Sequence, residues 1–60
     1  MTTKIEAARR AVGLTQEELS RKVGVTVSAI ANYENSRRHP RADILKRIAQ
    51  ALNVSMENLI

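Results

Sequence analysis

The densest cluster of chemically active side chains is Arg37-Arg38-His39-Pro40-Arg41. Guanidinium groups so close together bind anions through planar forks of N–H donors that match phosphate or carboxylate oxygens. A run of this kind also serves as an ordinary solvated loop. Covalent chemistry has no comparable set of residues. His39 is the only histidine and cysteine is absent, so there is no thiolate, and no Asp or Glu pattern around His39 suits a metal or a nucleophile. Glu17, Glu18 and Asp43 fall where carboxylates favour helix starts. There is no Gly-rich phosphate loop. The residues therefore point to binding without catalysis, with no catalytic residue, no metal and no cofactor.

The chain has 60 residues, enough for one domain spanning 1–60, and Lys+Arg 10 against Asp+Glu 6 give a formal charge of +4. A domain of this size buries only about 60 % of the surface its unfolded chain exposes, so its stability margin is small. Charged residues at 27 % and hydrophobic residues at 43 % describe a folded soluble protein rather than a disordered tail. No apolar run approaches the roughly 20 residues of a membrane span, and the N-terminus lacks a signal peptide's apolar block, which predicts a cytoplasmic protein without membrane contact. Tyr33 is the sole aromatic residue, against a single-strand binder built on stacked bases. Composition alone leaves two uses for the positive charge: a phosphate-rich partner, or solubility.

Gly13, Gly24, the Asn35-Ser36 to Pro40 stretch and Asn53 divide the chain into five pieces with apolar residues at helical spacing, which predicts five short helices. The first, about Thr3 to Val12, carries Ile5, Ala8 and Val12 on one face and ends at Gly13. Arg9 falls on that face, where its guanidinium must either reach out to water or meet a carboxylate. The second starts at Gln16, because Thr15 and Glu18 form a capping box and Leu14 and Leu19 a hydrophobic staple. It turns Leu19 and Val23 inward beside the small Ser20 and stops at Gly24.

The third piece follows a Thr26 N-cap and buries Ile30 and Tyr33. Ser28, Ala31 and Asn32 then project outward, with Val27 on the flank. A helix face built only of short, uncharged side chains suits close approach by a partner. The fourth, about Arg41 to Leu52, has Leu45, Ile48, Ala49 and Leu52 as its apolar stripe. The fifth runs from Ser55 to Ile60 with Ser55 as its cap.

Two helices joined by a short turn containing glycine describe a helix-turn-helix, and the second and third pieces fit it. From Leu14-Thr15-Gln16-Glu17-Glu18-Leu19-Ser20 through Val23-Gly24-Val25-Thr26 to Ile30, Tyr33, Glu34 and Asn35, the sequence resembles the Cro/phage-repressor type of helix-turn-helix domain. The resemblance runs from Ile5 through Leu52 and reaches Val54-Ser55. It implies an all-α, lambda-repressor-like domain of five helices whose third helix enters the major groove of double-stranded DNA while the second crosses the backbone.

On that resemblance, Val27, Ser28, Ala31 and Asn32 read bases, while Gln16, Thr26, Asn35, Arg37, Arg38 and Arg41 serve the DNA surface, Arg41 by phosphate or minor-groove contact. It also brings the first and third helices together so that Arg9 and Glu34 form a partly buried ion pair. Operator binding by two copies places Leu59 and Ile60 at a homodimer interface. No small-molecule ligand is implied. The functional expectation is a transcriptional regulator of the repressor kind. A protein-interaction module of antitoxin or coactivator type is the alternative. Ser36 departs from the pattern by standing where a glycine commonly ends the third helix, which shifts the expected left-handed residue to Asn35.

Overall fold

Three threonines start three of the four α-helices in the computed structural model, which describes residues 3–60. Met1 and Thr2, included in the expected 1–60 domain, lie outside the described residues. Helices α1 (Lys4–Val12), α2 (Gln16–Val23) and α3 (Val27–Glu34) follow Thr3, Thr15 and Thr26, whose hydroxyls accept from the N–H groups of Glu6, Glu18 and Ala29. Each hydroxyl thus satisfies a donor that has no partner within its helix. The capping box on α2 is complete, with the Thr15 N–H donating to Glu18 Oε1 at 2.9 Å. Those bonds favour the charged carboxylate and hold Glu18 below its usual range, so their contribution to stability is present above pH 4.5 and lost as pH falls through the lowered value. Helix α4 (Ala42–Leu52) is the exception: Arg41 occupies its N-cap position and its side chain supplies no capping bond.

All four helices end the same way. A left-handed residue follows each: Gly13, Gly24, Ser36 and Asn53. After α3 the Arg37 N–H donates back to the Asn32 carbonyl at 2.9 Å and the Ser36 N–H to Tyr33 at 3.4 Å, which is the Schellman pairing. The left-handed residue is therefore Ser36, with φ 65°, whereas Asn35 keeps φ −95°. This corrects the expectation for Asn35. Its side-chain oxygen is engaged elsewhere, accepting from the Arg37 N–H at 3.1 Å, so Asn35 stabilises the turn through an Asx bond while the strain falls on Ser36. A left-handed L-residue costs about 1–2 kcal/mol, partly offset in the reverse exchange by the extra unfolded-state entropy of glycine. Ser36→Gly is accordingly expected to stabilise the domain by about 0.5–1 kcal/mol, read as a thermal midpoint raised by several degrees; an unchanged or lower midpoint would refute the strain argument.

The inward faces meet in one core. Leu19, Ile30, Ile48 and Leu52 are completely enclosed, and Ile5, Val23, Ala49 and Leu59 are buried around them. Ser20 is buried as well, and its hydroxyl donates to the Glu17 carbonyl at 2.7 Å, so a small polar residue is enclosed on the inner face of α2 without an unpaired group. Val12, expected on the core face of α1, is 49 % exposed. It lies in the last turn of α1, just before the left-handed Gly13, and the following Leu14 packs against the core instead.

The last element also differs from expectation. Instead of a fifth α-helix, Met56–Leu59 forms a single 3₁₀ turn, and Ser55 makes no side-chain capping bond. Its tight i→i+3 pairing, Asn58 N–H to the Ser55 carbonyl at 3.1 Å, swings Leu59 into the core. Leu59 is thus a core residue of its own protomer, which corrects its placement at a dimer interface. Ile60 remains 77 % exposed. No helix of the described residues is long and apolar enough to cross a membrane.

Candidate nucleic-acid interface

The outer side of α3 follows from the residues it buries. Ile30 and Glu34, one turn apart, face inward at 0 % and 4 % exposure. Ser28 and Asn32, also one turn apart, stand on the opposite side, with Val27 and Ala31 forming the adjoining stripe. Val27 and Ser28 are exposed, while Ala31 and Asn32 are half-buried. Asn32 holds the basic loop through its backbone: its carbonyl accepts from both Arg37 at 2.9 Å and Arg38 at 3.2 Å. Among the described residues no hydrogen bond engages the side-chain amide of Asn32, which carries a donor and an acceptor side by side.

The two helix starts each offer further donors. Capping by Thr15 and Thr26 engages the third N–H of α2 and α3, leaving the first two of each, at Gln16 and Glu17 and at Val27 and Ser28, available to an anion. Thr26 accepts its capping bond with its oxygen, so its hydroxyl proton is free to donate.

Gln16 sits at the opposite end of α3 from Thr26, because its side-chain Nε2 donates to Glu34 Oε1 at 2.8 Å. Eight residues of α3 therefore separate two donor clusters by about 12 Å, at 1.5 Å rise per residue. Gln16 lies beside the α3 C-terminal turn from which Asn35, Arg37 and Arg38 emerge.

Glu34 is the centre of this end. Arg9 grips it with Nε to Oε2 at 2.6 Å and Nη2 to Oε1 at 3.2 Å, while Nη1 donates to the Leu14 carbonyl at 2.8 Å. Hydrogen bonding to Glu34 raises the Arg9 pKa, against the opposing effect of burial. The expected Arg9–Glu34 contact is thus a buried, forked pair. Its third member, Gln16, has no local signal in the sequence. It is 18 positions from Glu34, and only the packing of α2 against α3 brings the two together.

Charge is distributed unevenly over the remainder. Arg10 pairs with Glu6 at 2.9 Å and Arg21 with Glu17 at 2.6 Å, on α1 and α2. Among the described residues no ion pair engages Arg37, Arg38 or Arg41, all exposed. Arg41 is also poorly suited to its site, since a cation at a helix N-terminus opposes the dipole and here forms no cap. Arg41 thus adds a third exposed cation to this segment at a local cost to α4.

An α2–turn–α3 pair with an open α3 face and an unpaired basic loop at its end defines a helix-turn-helix domain. The helix-turn-helix family model matches residues 5–59, and the chain belongs to that family. It is 46 % identical over 52 residues to an uncharacterized HTH-type transcriptional regulator of Methanothermobacter thermautotrophicus, covering 87 % of this chain and 75 % of that one. Among solved structures it is similar to the P22 c2 repressor in complex with a synthetic operator, at TM-score 0.90 and 32 % identity over 95 % of this chain and 86 % of that one. SinR of Bacillus subtilis in complex with DNA is similar at TM-score 0.88 and 28 % identity, covering 95 % of both chains.

Proposed function

We propose that this chain is a sequence-specific, double-stranded DNA-binding transcriptional regulator, a cytoplasmic repressor that occupies a palindromic operator as a homodimer. The observation that carries this reading is the short-side-chain face of α3 tied by its Asn32 carbonyl to a loop of unpaired arginines. A helix of that profile enters a major groove without steric conflict. Asn32 matches an adenine edge, Ser28 serves several bases, and Val27 and Ala31 suit thymine methyl groups, while α3 has no arginine for guanine; direct readout therefore favours A·T pairs. Gln16, Thr26, Asn35, Arg37, Arg38 and Arg41 supply backbone contacts that fix the register. The function is binding, and no residue has a catalytic role. Leu59 being internal, exposed Ile60 is the residue of that end available to a second copy.

Selection of sites from random duplex DNA tests the reading. Recovery of two-fold related, A·T-biased half-sites about 34–36 Å apart, centre to centre, is expected, with affinity falling steeply as salt rises. Recovery of no shared sequence, together with tight binding to a protein partner, would replace it with the interaction-module reading.

Arg41 provides a sharper check because stability and binding should move in opposite directions. Arg41→Ser installs a cap on α4, an expected gain of about 1 kcal/mol in unfolding free energy. The same change removes one cation from the DNA surface, so affinity should fall on every sequence and the salt slope should shrink by about 1. Equal affinity for both proteins would show that Arg41 does not meet the DNA.

A further inference from the structure

We propose that Glu34 is a positioning residue for DNA binding: it holds the Gln16 side-chain amide so that its second N–H is aimed at a backbone phosphate at the start of α2. This inference rests on the DNA-binding reading above and assigns to the buried carboxylate a role beyond its ion pair. The geometry carries it. Glu34 is 4 % exposed, and its Oε1 accepts from Arg9 at 3.2 Å and from Gln16 at 2.8 Å. Gln16 itself is half-buried at the first position of α2.

A glutamine amide has two N–H donors. The one given to Glu34 fixes which end of the amide is nitrogen and removes most of the freedom of a long, rotamer-rich side chain. The other is not given to Glu34, and Gln16 stands at the first position of α2, whose first two N–H groups are not taken by the Thr15 cap. Without the anchor, Gln16 can present its carbonyl oxygen as readily as its nitrogen, and an oxygen repels phosphate. Ordering the amide during folding removes that cost from the binding step, as pre-organisation does generally.

Arg9 is required for the arrangement to work. A lone buried carboxylate so near the α2 N-terminus would repel a phosphate; the forked guanidinium offsets the charge of Glu34, while of the two carboxylates in the first turn of α2 Glu17 is paired with Arg21 and Glu18 is engaged in the capping box. Buried ion pair and surface donor thus form one chain, Leu14 carbonyl to Arg9 to Glu34 to Gln16, that spans from the α1–α2 connection to the DNA face.

A double-mutant cycle on the full chain tests it, with the duplex recovered by the random-site selection as probe. Gln16→Ala is measured in the wild type and in an Arg9→Met/Glu34→Leu background, in which an apolar pair replaces the buried charges and the fold is retained. Thermal melts establish that each protein is folded at the binding temperature. In the wild type the substitution is expected to weaken binding about tenfold, the scale of one hydrogen bond to a charged acceptor. In the background it should change affinity by less than about twofold, since the anchor is already lost. The two Gln16 amide proton resonances, well separated in the free wild-type protein, should draw together in the background, a signature that a purely structural loss would not produce.

The same factor in both contexts, or no effect of Gln16→Ala in the wild type, overturns the positioning role. Failure of the wild type to bind duplex DNA in a salt-dependent way instead overturns the DNA-binding reading, which separates the two.

Discussion

Arg9→Met is expected to destabilise the domain by about 3 kcal/mol or more, the scale for removing one partner of a buried ion pair. For a chain of this length that corresponds to a thermal midpoint lowered by about 12–24 °C. Methionine fills much of the arginine's volume, so the loss is electrostatic rather than a cavity. It leaves Glu34, at 4 % exposure, with Gln16 as its remaining hydrogen-bond donor, and it leaves the Leu14 carbonyl without its 2.8 Å partner. The forked contact also links α1 to α3, so its removal loosens the first helix from the bundle. The exposed Arg21–Glu17 pair, at the same 2.6 Å separation, provides the contrast: Arg21→Met should cost less than about 1 kcal/mol because water solvates the remaining carboxylate. Replacing both partners, as Arg9→Met/Glu34→Leu, should recover most of the loss. Denaturant unfolding of the four proteins decides the matter. If Arg9→Met and Arg21→Met cost the same, burial is not what makes the Arg9 contact strong.

Local signals in this sequence were reliable where one residue type answers one backbone need. Thr15 and Glu18 three apart mark the α2 start because the hydroxyl and carboxylate satisfy each other's backbone donors, and the bonds form as that spacing requires. Arg9 on an apolar face leaves two outcomes open, water or a carboxylate, and only the resemblance singles out Glu34, which the docked helices supply. The errors fall where two physical demands compete. Asn tolerates the left-handed conformation better than Ser, yet Asn35 is more useful as an acceptor for Arg37, and the chain places the positive φ on Ser36. Helical periodicity fits Ser55 to Ile60, but burial of Leu59 is achieved by one 3₁₀ turn. The Gln16–Glu34 bond is of another kind. It joins residues 18 apart that share no repeat or cap, and only the docked pair of helices brings them together.

The base-reading face of α3 allows the second large prediction. Asn32→Ala should weaken binding to the best site by about 1–3 kcal/mol and relax preference at one A·T position, the cost of losing a bidentate amide contact. Folding should not account for the loss. Asn32 is half-buried, its structural bonds run through the backbone carbonyl, and alanine keeps that carbonyl while having the higher helix propensity. The thermal midpoint should therefore stay level or rise while specific affinity falls. Binding to random duplex should be nearly unchanged, because the amide contributes to discrimination and the neighbouring arginines to attraction. Arg38→Gln is the complementary measurement: it should weaken specific and random binding alike and reduce the salt slope by about 1. The two substitutions sit at either end of one hydrogen bond, the Arg38 N–H donating to the Asn32 carbonyl at 3.2 Å. Opposite signatures from residues so closely joined would separate base readout from backbone attraction. Equal losses on specific and random DNA for Asn32→Ala would remove Asn32 from the recognition surface.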